Sequence, residues 1–325
     1  MDDTEFYMPF DSEGVNPAES AAEQAMWAWL ERYDLVPSGP TRRRVHRTRP
    51  ARMYALWCPY ADVNALGLLS RFTAWAFIVD DQFDIERPDP ARTLATITAL
   101  EEVFEPEAAP AGVLAVAFAD LWTDLCAGRS SQWRHAVRTE ISAWLWTYYT
   151  ESIGRLTGHY PDLDDYRAHR RDSVALYVFL DISEIAEGVD PGSAARGLPA
   201  LRRLREAAVE HMGLFNDILS VDSDEASDYL YNSVLLAERQ GRTRAQAIEL
   251  VDDMLTRCVR RMLTAIDQLP AELDAAGLSG RERSDILTTA TNYTRYVRAN
   301  FDYHYQAARY TSAPREALEH GAPLT

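Results

Sequence analysis

The chain has 325 residues, 47% of them hydrophobic, and a formal net charge of −17. A chain of this length can bury a sizeable core in one large domain or two ordinary ones. The acidic balance argues against binding to nucleic acid or to an anionic membrane, because both need a basic protein surface.

We expect neither a secretory signal peptide nor a cysteine framework in this sequence. Its first residues, MDDTEFYMPFDSEG, lack the basic and apolar parts of a secretory signal peptide, and no apolar run approaches the roughly 20 residues of a membrane span. The three cysteines, Cys58, Cys126 and Cys258, are far apart and odd in number, so neither a metal-binding spacing nor a disulfide pattern is visible. We therefore expect a cytoplasmic protein with reduced thiols and no membrane insertion.

Helix signals dominate along the whole chain. Glycine and proline are sparse and cluster between periodic segments, and no alternating strand pattern is visible. We predict an all-α fold, a single-domain helical bundle over residues 1–325 with irregular ends at 1–15 and 311–325. The predicted helices cover, in chain order, residues 17–34, 60–84, 91–104, 110–127, 131–157, 163–187, 197–222, 229–240, 243–269 and 280–310.

The predicted helix over 60–84 ends in three aspartates, directly after the apolar run at 74–79. Asp80 and Asp84 are four residues apart and share a helical face, and Asp81 lies beside Asp80. Such close like charges repel each other, and a divalent cation removes the repulsion. Ligands that are all oxygen favour Mg²⁺ or Mn²⁺ over zinc. The ordinary alternative is a solvated acidic helix end, but the apolar lead-in indicates a buried helix whose end faces a cavity.

A second group of oxygen-bearing side chains follows another apolar stretch. Asn216, Ser220 and Asp224 are spaced four residues apart, so all three lie along one helical stripe. An amide, a hydroxyl and a carboxylate in a row suit one hard cation. A polar helix end is again the ordinary alternative, because Ser and Asp favour caps and turns. Two such helix ends together indicate several Mg²⁺ ions that clamp one polyphosphate.

Arginines stand out in this acidic chain. Arg170 and Arg171 directly precede an apolar run at 174–180, and Arg309 and Tyr310 lie near the C-terminus. Arginine suits fork-like phosphate recognition, and tyrosine adds a hydroxyl donor. Surface ion pairs for the arginines and core packing for Tyr310 are the alternatives.

These residues together resemble the motifs of bacterial class I terpene synthases. Residues 80–84, DDQFD, match the family's DDxxD motif, and residues 216–224, NDILSVDSD, are similar to its second metal motif, NDxxSxxxE, with Asp224 in place of the last Glu. Arg309-Tyr310 matches the family's C-terminal arginine–tyrosine pair, and Asn300 stands where that segment usually has an Asn. Order and spacing agree along nearly the whole chain.

The resemblance implies the α-helical class I terpenoid synthase fold, three Mg²⁺ ions and a prenyl diphosphate substrate. It implies that Asp80 leads the first metal site, that Asp84 supports closure, and that Asn216, Ser220 and Asp224 hold a further ion.

The resemblance also assigns residues to the diphosphate. Arg309 and Tyr310 would hydrogen-bond it in a closed state. The family's diphosphate-sensing arginine is Arg170 by its spacing from the Asn of the second motif, whereas the local pattern RRxS fits Arg171 as well.

The chain departs from the family pattern at several positions. Ser223 and Ser227 stand where the family often has Lys and Arg, so two cationic diphosphate contacts are missing. Tyr303-His304 replaces the usual Trp-Ser, and Val174-Ala175 stands where a helix break with a small residue is expected.

These parts indicate ionisation of a diphosphate beside an apolar pocket that excludes water. Aromatic faces can stabilise a carbocation as they do other cations. The pocket candidates are Phe77, Leu176, Phe179, Phe215 and Tyr303. His304 is a possible base, although a lone histidine on a helix is more often structural.

The reaction that follows is the Mg²⁺-dependent cyclisation of farnesyl diphosphate to a sesquiterpene, with geranylgeranyl diphosphate as the second candidate. A chain-elongating prenyltransferase should carry a second DDxxD, which the NDILS segment does not provide. A non-catalytic acidic helical scaffold needs neither the second stripe nor the arginine–tyrosine pair. The oligomeric state stays open, a homodimer included.

Overall fold

The structure, a computed structural model, describes residues 6–83, 87–105 and 107–307. Within these ranges every regular element is a helix, which confirms the predicted all-α fold. The helices are α1 (Glu19–Arg32), α2 (Gly39–Thr48), α3 (Pro50–Trp57), α4 (Val63–Phe83), α5 (Pro90–Glu101), α6 (Val113–Cys126), α7 (Ser131–Thr157), α8 (Leu163–Ser173), α9 (Leu176–Glu187), α10 (Ser193–Arg196), α11 (Pro199–Ala226), α12 (Ser233–Arg239), α13 (Arg244–Ala275) and α14 (Gly280–Gln306), with a 3₁₀ turn at Glu102–Phe104.

Side-chain caps set the starts of several of these helices. Ser130 accepts a hydrogen bond from the Trp133 backbone N–H at the start of α7, and Asp162 caps α8 in the same way. Thr243 forms a full capping box with Gln246 at the start of α13. Such caps satisfy backbone donors that the first turn of a helix leaves free.

Three differences from the predicted helices have physical reasons. Helices α2 and α3 were not predicted, because the segment 41–49 is rich in arginine and shows no apolar stripe. The predicted helix 163–187 is broken, since Ala175 adopts a left-handed conformation with φ of +60°. Helix α13 continues past Pro270 to Ala275, so the proline does not end it as expected.

Helices α4 and α11 form the centre of the bundle. Helix α4 packs against α1, α3, α6 and α9, and it is buried on nearly every side. Trp75 of α4 stacks on Phe118 of α6 with ring centroids 4.3 Å apart. Helix α11 packs against α8, α13 and α14. The two acidic helix ends predicted from the sequence therefore belong to helices that pack against several others.

A buried ion network fixes α9 to its neighbours. Asp181 lies 2.8 Å from Arg196 of α10 and 3.0 Å from Arg205 of α11. Glu184 lies 2.7 Å from Arg196 and accepts a hydrogen bond from the indole N–H of Trp133 in α7. Because α9 follows the break at Ala175, these pairs hold the chain in place after that break.

None of the helices in the described ranges combines the length and the apolar character needed to cross a bilayer.

The burial of His211 in α11 gives the fold a predictable sensitivity to acid. Only 2% of its side chain is exposed, and its Nδ1 is buried with no hydrogen-bond partner among the described residues. Desolvation lowers the pKa of His211 from 6.5 to about 4. The folded state therefore keeps the ring neutral, whereas the unfolded chain takes up a proton below about pH 6.5, so this residue lowers the free energy of unfolding as the pH falls towards 4.

We predict that His211→Leu makes the protein less sensitive to acid. We compare the free energy of unfolding of the variant with that of wild type at each pH. From pH 7 to pH 4 the difference between them should shift by about 3 kcal/mol in favour of the variant. Urea unfolding at the two pH values measures this change. The same substitution at His135, which is exposed on α7, is the control and should leave the pH dependence of stability parallel to that of wild type.

Candidate functional site

The first acidic cluster places one carboxylate at the cavity. Asp80 lines the cavity at the end of α4, and its Oδ1 accepts a hydrogen bond of 2.9 Å from the Tyr148 hydroxyl. The same hydroxyl accepts a bond of 3.1 Å from the indole N–H of Trp144. Burial raises the pKa of Tyr148 well above 10, so its phenol stays a donor. This chain of donors fixes the direction in which Asp80 points.

Asp81 has a different partner from the one expected. Its Oδ1 lies 2.6 Å from Nε of Arg44 in α2, and both side chains are buried. It does not belong to the cavity lining. The expectation that a bound cation compensates Asp81 is therefore corrected: an arginine compensates it. The sequence reasoning missed Arg44 because α2 was not recognised as a helix.

The second cluster lies on α11 as one stripe, of which Asn216 lines the same cavity and Ser220 and Asp224 follow in the next two turns. The Ser220 hydroxyl donates to Oδ2 of Asp224 over 2.7 Å, and the Asn232 amide donates to the same oxygen over 2.8 Å. Desolvation raises the pKa of Asp224 to about 7, although both hydrogen bonds oppose that shift. Asn232 also caps α12, a role that its position before an apolar run does indicate, whereas its contact with Asp224 has no local signal.

The oxygen atoms of this stripe fit a hard cation. They are an amide oxygen of Asn216, a hydroxyl of Ser220 and a carboxylate of Asp224, which is the ligand chemistry of Mg²⁺ or Mn²⁺. A desolvated carboxylate with a raised pKa also favours a nearby positive charge. Among the residues that the structure describes, no group of three His, Cys, Asp or Glu side chains is placed to hold a metal ion.

The structure separates the two candidate sensing arginines. Arg170 lines the cavity, and one of its nitrogens lies 2.8 Å from Oδ1 of Asn216 and 2.9 Å from Oδ1 of Asp217. Desolvation opposes its charge, but Asp217 raises the pKa of Arg170 above the usual value, so it stays protonated. Arg171 instead lies 3.6 Å from Glu210, outside the cavity lining. Position alone therefore favours Arg170 at a diphosphate site.

The break between α8 and α9 forms one wall of the cavity. Val174 and Ala175 line it together with Leu176, the first residue of α9. A left-handed conformation is unfavourable for an alanine, by about 1 kcal/mol or more. The break that the family pattern requires is therefore present without a glycine.

The cavity has both apolar and polar lining residues, and we call the part formed by Arg170, Asn216 and His304, which contact one another, its polar end. The space inside it that water-sized molecules can occupy is about 120 Å³. The lining residues are Met53, Ala76, Phe77, Asp80, Trp144, Tyr148, Arg170, Ser173, Val174, Ala175, Leu176, Phe179, Met212, Asn216, Asn300, Tyr303 and His304.

Four of the five pocket candidates lie in this lining: Phe77, Leu176, Phe179 and Tyr303. Phe215 does not line the cavity. Its ring stacks on Phe301 at 4.7 Å and packs edge-on against Phe6. The expectation that Phe215 faces a substrate is therefore corrected. From its position on α11, the side chain packs into a second cluster of buried hydrophobic residues.

The loop that follows α11 is held against α7 by contacts that sequence reasoning missed. Glu151, which is buried, lies 2.7 Å from Nε2 of His169 and accepts a hydrogen bond from the Tyr229 hydroxyl. One turn later, Gly154 leaves room for Tyr231: a Cβ at Gly154 would lie 1.9 Å from the tyrosine oxygen. The loop bearing Asn232 is thus seated next to the second cluster.

Three of the expected site residues, Asp84, Arg309 and Tyr310, lie outside the residues that the structure describes. Ser223 and Ser227, which replace expected cations, serve the end of α11, since the Ser227 hydroxyl donates to the backbone oxygens of Ser223 and Asp224.

Comparison with known proteins gives consistent matches. Residues 71–261 match the family described as terpene synthase family 2, C-terminal metal binding, which implies dependence on a divalent metal. (2Z,6E)-Hedycaryol synthase of Kitasatospora setae is 29% identical over 311 residues, covering 94% of this chain and 91% of that enzyme. The (−)-β-caryophyllene synthase of Saccharothrix espanaensis, named as (2E,6E)-farnesyl diphosphate cyclizing, is 27% identical, covering 95% and 89%. A solved structure of hedycaryol synthase in complex with nerolidol superposes with a TM-score of 0.81 at 28% identity, covering 92% of this chain and 99% of that chain.

We predict that Arg170 and Arg171 differ sharply in their effect on stability. Arg170→Gln leaves the carboxylate of Asp217, which is 1% exposed, without its ion pair and should cost about 3 kcal/mol. Arg171→Gln is the matched control and should cost less than about 1 kcal/mol, because its pair is partly exposed and Glu210 keeps Arg167. Urea unfolding measures both. Equal losses would contradict the assignment of Arg170 to the buried pair.

We also predict that Gly154→Ala destabilises the protein, although alanine normally favours a helix. The added Cβ would meet the Tyr231 hydroxyl and the His159 backbone oxygen, so we expect a loss of about 2 kcal/mol. Gly192→Ala is the control, since a Cβ at that position would have no atom within 4 Å, and it should change stability by less than about 0.5 kcal/mol. Thermal unfolding compares the two, and a gain in stability for Gly154→Ala would refute the close approach.

Proposed function

Since the chain belongs to terpene synthase family 2, we propose that it ionises a linear prenyl diphosphate in a Mg²⁺-dependent reaction and cyclises the resulting cation. One observation carries this proposal above the others. Asp80, Arg170 and Asn216 line one cavity together with apolar and aromatic side chains, and the charged Arg170 lies 2.8 Å from the amide oxygen of Asn216.

We further propose that the substrate is farnesyl diphosphate and the product a sesquiterpene. The support is the β-caryophyllene synthase, whose name specifies cyclisation of that diphosphate and whose match covers 95% of this chain. No observation favours geranylgeranyl diphosphate over it, and the experiment below includes both.

We expect three Mg²⁺ ions, with Mn²⁺ as a substitute. Asp80 would hold the first group of ions, supported by Asp84, and Asn216, Ser220 and Asp224 would hold another. When bound, these ions supply positive charge that stabilises the departing diphosphate.

The chain's own residues have three further tasks. Arg170, kept protonated by Asp217, adds a positive charge and hydrogen-bond donors at the polar end of the cavity. Tyr148 holds the carboxylate of Asp80 by a hydrogen bond where it lines the cavity. Arg309 and Tyr310 would add donors to the diphosphate, by similarity with the family motif.

The apolar walls separate the hydrocarbon from water. Phe77, Phe179, Trp144 and Tyr303 present aromatic rings to the cavity, and such faces stabilise a positive charge on carbon. Exclusion of water at the same time protects a reactive cation from early capture.

The test of the function is incubation of the purified protein with geranyl, farnesyl and geranylgeranyl diphosphates, with Mg²⁺ or with a chelator, followed by gas chromatography of a hydrocarbon extract. We expect a volatile product only from farnesyl diphosphate and only with Mg²⁺. A product from geranylgeranyl diphosphate alone would assign that diphosphate as the substrate in place of farnesyl diphosphate. The absence of a product with all three diphosphates would contradict the proposed function.

A matched pair of aspartates tests the metal site. Asp224→Asn removes a charged oxygen from the stripe, so we expect activity to fall by at least about 100-fold. Asp222→Asn changes an exposed aspartate two residues away that pairs with Arg244, and its activity should stay within about twofold of wild type. Initial rates with farnesyl diphosphate measure both variants, and a similar loss in the two would show that general charge, not the stripe, matters.

A further inference from the structure

His304 of α14 occupies a defined place between the cavity and the second cluster. It is 4% exposed and lines the cavity. Its Nδ1 lies 2.7 Å from the backbone oxygen of Asn300, and its Nε2 lies 3.2 Å from Nδ2 of Asn216. These two contacts determine the hydrogen positions on both side chains.

The ring must carry its proton on Nδ1. A backbone carbonyl can only accept, so the bond to Asn300 requires an N–H at Nδ1. In the neutral ring Nε2 then has a free lone pair and accepts from the amide NH₂ of Asn216.

The contact on the opposite side of the Asn216 amide independently indicates the same orientation of the amide. Arg170 has only donors, and it lies 2.8 Å from Oδ1 of Asn216. The amide nitrogen therefore faces His304, and the oxygen faces Arg170 and the polar end of the cavity. A rotation of the amide by 180° would place its NH₂ group against the donors of Arg170. On the other side, the amide oxygen would face Nε2 of His304, which would then have no donor.

We propose that His304 is a positioning residue that keeps the oxygen of Asn216 directed at the metal. This inference rests on the proposed function, in which Asn216 is a ligand. Only the amide oxygen can bind a hard cation, so a flipped amide would remove one ligand. His304 holds the amide from the side away from Arg170, and the constraint persists wherever Arg170 directs its donors during diphosphate binding.

The same hydrogen bonds exclude a different role for this histidine. Both ring nitrogens are committed to protein partners, one as donor and one as acceptor. His304 therefore does not serve as the base that removes a proton from the hydrocarbon.

The test measures ligand binding without turnover. Inorganic diphosphate is titrated calorimetrically into the full chain at a series of Mg²⁺ concentrations, which gives the Mg²⁺ concentration for half-maximal diphosphate affinity. His304→Asn can keep a donor near Nδ1 but has no acceptor that reaches Asn216, whereas His304→Gln places an amide oxygen near Nε2.

We expect His304→Asn to raise that Mg²⁺ concentration about tenfold and His304→Gln to leave it within about twofold of wild type. Phe301→Leu controls for packing on the same helix, because Phe301 stacks on Phe215 and does not line the cavity. Circular dichroism and melting temperature verify that each variant is folded.

Two results would overturn the positioning role while the proposed function stands. One is an unchanged Mg²⁺ dependence in His304→Asn. The other is an equal shift in His304→Asn and His304→Gln, which would point to the volume of the ring and not to its acceptor. If wild type itself shows no Mg²⁺-dependent binding of diphosphate, the proposed function fails, and this inference fails with it.

Discussion

The buried ion pair between Arg170 and Asp217 is the constraint on which the site depends. Arg170 lies in the last turn of α8, shortly before the helix break, and Asp217 directly follows Asn216 of the second cluster on α11. Asp217 also accepts hydrogen bonds from the Tyr166 hydroxyl and from the backbone N–H of Ser233 after the loop. One carboxylate thus ties together the break, the stripe on α11 and the loop, and its side chain is only 1% exposed.

Neighbouring carboxylates of this acidic chain have different partners. At the end of α4, Arg44 neutralises Asp81, so Asp80 is the described aspartate of that cluster that faces the cavity. On α11, Arg170 neutralises Asp217, while Asp224 keeps a raised pKa and only neutral hydrogen-bond donors. Neighbouring carboxylates with different partners can therefore have different tasks, one structural and one directed at a cation.

The sequence allowed prediction of features that depend on local spacing. The all-α fold, the acidic end of α4 and the stripe on α11 all follow from periodicity over a few turns. Contacts between distant segments carry no such pattern, so Arg44, Glu151 and the pairing of Asn232 with Asp224 were not foreseen. Phe215 was misplaced for a related reason: an apolar residue on a buried helix can face either side, and only packing decides which.

The left-handed conformation of Ala175 limits how this cavity can evolve. Glycine and, less readily, asparagine accept such a backbone, whereas β-branched and bulky side chains do not. Position 175 therefore offers almost no route to a cavity of another shape. Changes of volume must instead come from side chains on regular helices, such as Met53, Phe179 and Met212, where one exchange resizes the space without moving the backbone. Descendants of this enzyme with new products should differ at those positions and keep a small residue at the break.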